Sequence, residues 1–319
     1  MHCTLITGAN GFVGRQLCRT LQHSGQHVIA LTAGAATSPL AADQHLQCDI
    51  RNADALHQAI ALARPTHVIH LAAITHIPTS FADPQLTWQT NVMASLNLME
   101  ALRRRAPDAF TLFVSSSEVY GASFKSGLPV DEQTACQPMN PYAASKLAGE
   151  IAIGEYFRQG MRGVIARPFN HIGENQSPIF ATASFARQIA RAEAGLQPPI
   201  LRVGNLEAHR DFLDVQDVCK AYLKLMELPC EKVEQSRRFN IASGNTHSIR
   251  NILETLLSLS PLQLSVEQDP ERLRPSDIPV AIGDNRAIRQ ATGWQPLIPL
   301  QDTLQRLLTF WRAQVGALI

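Results

Sequence analysis

TGANGFVG, Thr7 to Gly14, comes after only six residues and carries glycines at Gly8, Gly11 and Gly14. Cys3 to Ile6 before it is a short β-compatible run, and Phe12 to Leu21 after it places apolar side chains at helical spacing. The loop therefore falls where a first strand hands over to a first helix. Glycines at such a turn let the backbone bend sharply, approach a phosphate closely and pack the helix on the sheet, while the helix N-terminus supplies N–H donors and partial positive charge. The spacing is G-x-x-G-x-x-G rather than the commoner G-x-G-x-x-G, and a strand-to-helix turn with no ligand can look the same.

Working outward, short apolar strands at His27 to Leu31, Thr66 to Ala73, Thr111 to Ser116 and Gly163 to Pro168 alternate with helical patterns at Ala53 to Ala63, Pro84 to Arg105 and Pro141 to Phe157. Such alternation predicts an α/β fold, a doubly wound parallel sheet of the Rossmann kind over residues 1–170. Beyond about residue 170 the pieces shorten and prolines multiply. Helical patterns remain at Ala181 to Ala194, Gln216 to Glu227, Ser248 to Leu259 and Leu300 to Ala313, with strand candidates at Ile200 to Val203, Arg238 to Ala242 and Gln263 to Glu267. We read residues 171–319 as a smaller, mainly substrate-binding α/β lobe, with some segments returning to the sheet.

A chain of 319 residues with 45% hydrophobic and 17% charged side chains can bury a large core, and a net charge of +1 gives no general attraction to nucleic acid or an anionic membrane. Anionic ligands must be held by local groups. The six cysteines, Cys3, Cys18, Cys48, Cys136, Cys219 and Cys230, are scattered without a C-x-x-C pair, which fits free thiols in a reducing compartment and offers no metal site. Met1 and His2 run straight into the first strand with no signal-like segment, and no apolar run is long enough to span a bilayer. The expectation is a cytoplasmic protein with no nucleic-acid or membrane partner.

Cofactor choice is less legible. An NAD site expects an acid about 20 residues past the glycines, to hold the ribose hydroxyls. That place reads LTAGAATS, Leu31 to Ser38, with neither acid nor base. Asp49 is the next acid at a strand end; it could accept from the adenine amine or cap the helix that follows. Arg15, just past the third glycine, could meet a 2′-phosphate, which favours NADP(H) while leaving NAD(H) open.

NPYAASKLAGE, Asn140 to Glu150, begins with a capping Asn and a Pro at the first helical position. Tyr142 and Lys146 then share one helix face. A phenol titrates near ~10 and is a poor proton donor or acceptor at neutral pH unless a nearby cation favours the phenolate, which Lys146 would do. Of the four tyrosines only Tyr142 has a lysine four residues later. The run SSSEVYG, Ser115 to Gly121, ends a strand that the parallel sheet would place beside the glycine loop at its carboxyl edge, where ligands bind in open α/β sheets.

TGANGFVG, HLAA (His70 to Ala73), SSSEVYG and Y-A-A-S-K, in this order, resemble the extended short-chain dehydrogenase/reductase family that acts on nucleotide sugars. The resemblance covers most of the chain. It implies that Ser116 hydrogen-bonds the substrate oxygen, that Tyr142 is the acid/base, and that Lys146 binds the nicotinamide ribose while lowering the Tyr142 pKa. It also implies cofactor contacts from Gly8, Gly11, Phe12, Val13, Gly14, Asp49, Ile50, Leu71, Ala72, Ala73 and Asn91.

RPFNHIG (Arg167 to Gly173), HRDFLDVQD (His209 to Asp217) and DPERLRPSDIP (Asp269 to Pro279) resemble the GDP-sugar members of that family. That likeness implies a GDP-sugar substrate touched by Ser117, Glu118 and Asn170, with Arg210 and Arg274 clamping the diphosphate. A simple surface pair of Arg210 with Asp211 or Asp214 is the alternative. The implied reaction is NAD(P)H-dependent reduction of the C4 ketone of GDP-4-keto-6-deoxy-D-mannose to GDP-D-rhamnose or its C4 epimer. The rivals are 4,6-dehydration of GDP-mannose, for which Glu118 would be suited, and dinucleotide sensing without catalysis. Family members pair through helices like Asn91 to Arg105 and Asn140 to Phe157, so a homodimer is expected.

Overall fold

In the computed structural model, which describes residues 2–35, 39–229, 238–272 and 278–317, the alternating first half folds as read. Its elements are β1 (Cys3–Thr7), α1 (Phe12–His23), β2 (His27–Thr32), β3 (Gln44–Gln47), α2 (Ala53–Ala63), β4 (His67–His70), α3 (Ile77–Ala82), α4 (Pro84–Trp88), α5 (Ala94–Arg105), β5 (Phe110–Val114), α6 (Pro141–Arg158) and β6 (Gly163–Pro168). There follow β7 (Asn170–Ile172), α7 (Ala181–Glu193), β8 (Ile200–Val203), β9 (His209–Asp214), α8 (Val215–Met226), β10 (Arg238–Ile241), β11 (Thr246–Ser248), α9 (Ile249–Ser258), β12 (Ser265–Gln268), β13 (Val280–Ala281), α10 (Arg286–Thr292) and α11 (Leu300–Gly316).

Seven strands in the order β10-β6-β5-β4-β1-β2-β3, every pair parallel, make the main sheet. Both faces are apolar because neighbouring residues on each strand point to opposite sides. Ile6, Leu112 and Val164 pack with Leu17 and Leu21 of α1 and Val218 and Leu225 of α8. Their neighbours Leu5, Phe113 and Ile165 pack with α2, α5 and α6 through Ile60, Leu98 and Phe157. Strand order reverses between β1 and β4, opening a crevice at their carboxyl ends. β5 is one strand further off: β4 lies between it and β1, so SSSEVYG does not directly adjoin the glycine loop as expected.

The smaller lobe centres on β9, flanked by β7, β11 and β13, with β8 and β12 as a separate parallel pair. α7, α9 and α11 close its core through Phe185, Ile189, Leu256, Leu304 and Leu308. Two features differ from the sequence reading. β3 is largely polar, and is kept at the sheet edge partly by Asp43, whose carboxylate accepts from Val28 N at 2.7 Å. The helix expected over Pro84 to Arg105 widens into a π turn at Gln89–Met93. β10 is a segment of the second half that returns to the main sheet, where it pairs with β6 at the other edge.

Candidate active site

The glycine loop is shaped by close backbone approach. Gly8 has φ of +68°, and a Cβ there would stand 3.0 Å from the backbone N and Cα of Ala72. A Cβ on Gly14 would sit 2.5 Å from the Gly8 carbonyl oxygen. Gly11 opens α1 with no side-chain cap, and no acid lies in the first turn. The N–H groups at the start of α1, where Phe12 and Val13 lie, are therefore available to an anion. This cradle fits the pyrophosphate of a dinucleotide.

Leu71, Ala72 and Ala73 follow β4, and a hydrogen-bond chain ties the first two to Thr7 at the start of the loop. Ser95 Oγ donates to Asn91 O at 2.8 Å, so it accepts from His70 Nε2, also at 2.8 Å. His70 Nδ1 is then left to accept from Thr7 Oγ1 at 2.7 Å, while that hydroxyl accepts from Leu71 N and Ala72 N at 3.2 Å. Every group is satisfied only if His70 is neutral. Burial, helped by the Lys146 charge, pulls its pKa down to about 3. Asn91 lies in the π turn, 1% exposed, where its side chain accepts from Ile74 N at 2.8 Å and donates to Ile74 O and Ser145 Oγ. Ser145 in turn donates to Tyr142 O.

Ser116 follows β5 and caps the short turn Ser117–Tyr120, its hydroxyl accepting from Glu118 N at 3.2 Å. Asn140 caps α6 by accepting from Ala143 N, and Tyr142 N donates to Ser80 Oγ of α3. Ser116, Ser117, Tyr142 and Lys146 are all buried. The Tyr142 phenol is pushed up to about 12, mainly by burial; its hydrogen bond with Ser116 pulls it down and the Glu118 charge pushes it up. The expected lowering by Lys146 is not what the structure has: the groups that act on the phenol are Ser116 and Glu118, and the Lys146 ammonium lies 4.7 Å over the ring of Phe113.

Glu118 is half-buried at the same mouth. Burial raises its pKa, opposed by Arg210 and by the Asn140 amide, which donates to Oε2 at 3.4 Å. Arg210, on β9, donates to the carbonyls of His209 and Ile278 at 2.8 and 3.1 Å. Asp211 and Asp214 have other partners: Asp211 accepts from Ser243 and Gly244, and Asp214 from Thr303 and Arg306. Asn170 is exposed on neighbouring β7, opposite Phe212 in the register. Arg274 lies outside the described residues.

Beyond the glycine loop, Asp49 and Ile50 follow β3. Asp49 does not cap α2, a task Asn52 performs by accepting from Ala55 N. Its carboxylate instead takes the Arg51 guanidinium at 2.6 to 3.0 Å, which holds its pKa down. Arg15 Nε donates to Asn10 O within the loop at 3.1 Å. The sequence reading missed Thr7, His70, Ser80, Ser95 and Ser145 as supports. Thr7, His70 and Ser145 stood in motifs singled out, TGANGFVG, HLAA and Y-A-A-S-K, but their partners, like Ser80 and Ser95, become visible only with the strand order.

The GDP-mannose 4,6 dehydratase family model matches residues 5–307, and the chain belongs to that family of extended short-chain dehydrogenases/reductases. It is similar to the GDP-6-deoxy-D-mannose reductase of Pseudomonas aeruginosa, 37% identical over 97% of both chains. Among solved structures it is similar to RMD from Pseudomonas aeruginosa complexed with NADPH, with TM-score 0.85, 36% identity and coverage of 98% and 99% of the two chains. The UDP-glucose 4-epimerase of Thermus thermophilus in complex with NAD gives 0.85 at 27% identity, covering 97% and 98%.

Proposed function

We propose that the chain reduces the C4 ketone of GDP-4-keto-6-deoxy-D-mannose with NAD(P)H, giving GDP-D-rhamnose or its C4 epimer. The observation that carries this reading is the meeting of Ser116, Tyr142 and Lys146 at the strand ends of a dinucleotide fold, in a chain 37% identical over 97% of its length to a GDP-6-deoxy-D-mannose reductase. The glycine cradle, Leu71 to Ala73 and Asn91 hold the cofactor, whose reduced nicotinamide supplies the hydride when bound. Ser116 donates to the ketone oxygen and polarises it. Tyr142 delivers the proton to that oxygen as it becomes a hydroxyl, and Lys146 holds the nicotinamide ribose. Arg210, Asn170 and Arg274 bind the GDP-sugar diphosphate, for which guanidinium forks are suited.

The NADPH complex of the relative supports NADPH as the preferred reductant. Phe81, Trp88, Met93 and Ile151 expose apolar surface on α3 to α6 and support a homodimer through these helices. Since reduced dinucleotides and sugar nucleotides are metabolites of the cytoplasm, the reading places the enzyme there. Glu118 beside Ser116 and Tyr142 favours 4,6-dehydration of GDP-mannose as the second reading. Product analysis by NMR, with GDP-mannose and GDP-4-keto-6-deoxymannose offered separately and NADPH or NADH added, tests both. One reduced dinucleotide consumed per ketosugar supports the first, and a 4-keto product from GDP-mannose without reductant supports the second.

A further inference from the structure

One turn beyond Lys146, on the same face of α6, stands Glu150, whose side chain is 1% exposed. Its Oε1 accepts from Ser115 Oγ at 2.5 Å and Arg167 Nε at 2.9 Å, and its Oε2 accepts from Arg167 Nη2 at 2.6 Å. Arg238 Nε of β10 lies 3.5 Å from Oε2. One carboxylate thus ties α6 to the carboxyl ends of β5 and β6 and to the edge strand. Ser115 immediately precedes Ser116, and α6 carries Tyr142. The bond from Glu150 to Ser115 therefore bears on the separation of the two groups that must grip one ketone oxygen.

Lys146 is itself 4% exposed, and no carboxylate among the described residues is within ion-pair distance of it. From β4 it has the neutral His70, from β5 the Phe113 ring, and from its own helix the phenol of Tyr142 and the carboxylate of Glu150. The π turn and α3, which pack on α6, contribute the uncharged Asn91 and Ser80. Facing Glu150 are Arg167, Arg238, Ser115 and the nearby thiol of Cys136.

We propose that Glu150 is the positioning residue of this site, holding Ser116 at its working distance from Tyr142 through Ser115 and keeping the buried Lys146 a cation. The inference rests on the reductase reading. Burial lowers the Lys146 pKa to about 8 although the Glu150 charge opposes the fall. A buried ammonium without that charge loses its proton nearer neutrality.

The test follows the pH dependence of kcat/KM and kcat for reduction of GDP-4-keto-6-deoxymannose by NADPH in wild type and Glu150→Gln. Glutamine leaves Arg167 without its counter-charge and can cost folding, so Glu150→Gln/Arg167→Met, which removes both charges, is measured beside it. Intrinsic fluorescence reports folding. The alkaline limb of kcat/KM is expected to move down by about one pH unit in both variants, so that activity at pH 8 falls roughly fivefold more than in wild type. At pH 6.5 kcat is expected to fall while the NADPH Kd stays within about twofold, as a moved Ser116 requires. An unmoved limb in whichever variant folds, or recovery of the wild-type limb in the double variant, overturns the inference. Wild type that reduces no ketosugar overturns the reductase reading itself, a separate result.

Discussion

His70, at the end of β4, accepts a hydrogen bond at Nδ1 from the hydroxyl of Thr7, at the end of β1, across 2.7 Å. This bond ties together the ends of the two strands between which the order reverses, and the imidazole can accept it only when neutral. An unfolded histidine titrates near ~6.5, whereas burial holds His70 down to about 3. Between those values the unfolded chain binds a proton that the folded chain refuses, so the contribution of His70 is complete above about pH 6.5 and is lost as pH falls towards 3. Lowering the pH from 7 to 5 should remove about 2 kcal/mol through this residue alone. Urea unfolding at the two pH values should show a shallower loss in His70→Asn; an equal loss in both proteins would show that His70 is not the sensitive group.

Tyr142→Phe should fold and bind NADPH, because the ring still packs, but lose the proton donor. Turnover should fall roughly 10²–10⁴-fold, the usual scale for a removed general acid. Steady-state kinetics beside an NADPH titration separates the two effects, and near-normal turnover would rule out this assignment.

Arg210→Ala should weaken the GDP-sugar while sparing the dinucleotide. Loss of a charge-assisted contact should cost on the order of 1.5–3 kcal/mol in sugar-nucleotide binding. Calorimetric titration with each ligand checks this, and equal weakening of both would point to a disturbed lobe, since Arg210 also bonds the His209 and Ile278 carbonyls.

Glu118→Gln keeps shape and some hydrogen bonding but removes the carboxylate that faces Arg210. A reductase receives a sugar already deoxygenated at C6, so the variant should retain most ketone reduction. Assays of wild type on GDP-mannose should show no loss of water; dehydration at a comparable rate would overturn the reductase reading in favour of the lyase.

Gly14→Ala places a methyl 2.5 Å from the Gly8 oxygen and 2.7 Å from Ala9 Cα. These are backbone atoms that cannot swing aside. The overpacking should cost about 1–3 kcal/mol and weaken NADPH by more than about tenfold, because the cradle itself must move. A melting curve and a fluorescence titration would show it; unchanged NADPH affinity would contradict a phosphate cradle here.

Periodicity was enough for α2, β6 and β8, whose limits coincide with their patterns, because each is a local run bounded by turn residues. β3 escaped because QHLQ is a polar edge strand whose place depends on Asp43 and Val28. The π turn at Asn91 escaped because nothing in a continuous helical pattern marks one extra residue in a turn. In the site, Tyr142 and Lys146 were legible through their spacing on one helix. Their governing neighbours were less so: Glu150 meets Ser115 and Arg167 from positions 35 and 17 residues away, and only the order of strands brings them together.

The chain visits the large sheet, leaves to build β7 to β9, returns with α8 and β10, and leaves again for β11. The two lobes are therefore stitched rather than hinged. A cassette cut at the last strand of the first half and exchanged with a relative would pull β10 from the side of β6 and uncover Phe239 and Ile241. It would also remove α8, which covers one face of the sheet. Under the proposed function, new substrate preferences are thus more readily grafted at single side chains around Glu118, Asn170 and Arg210 than by transplanting a lobe.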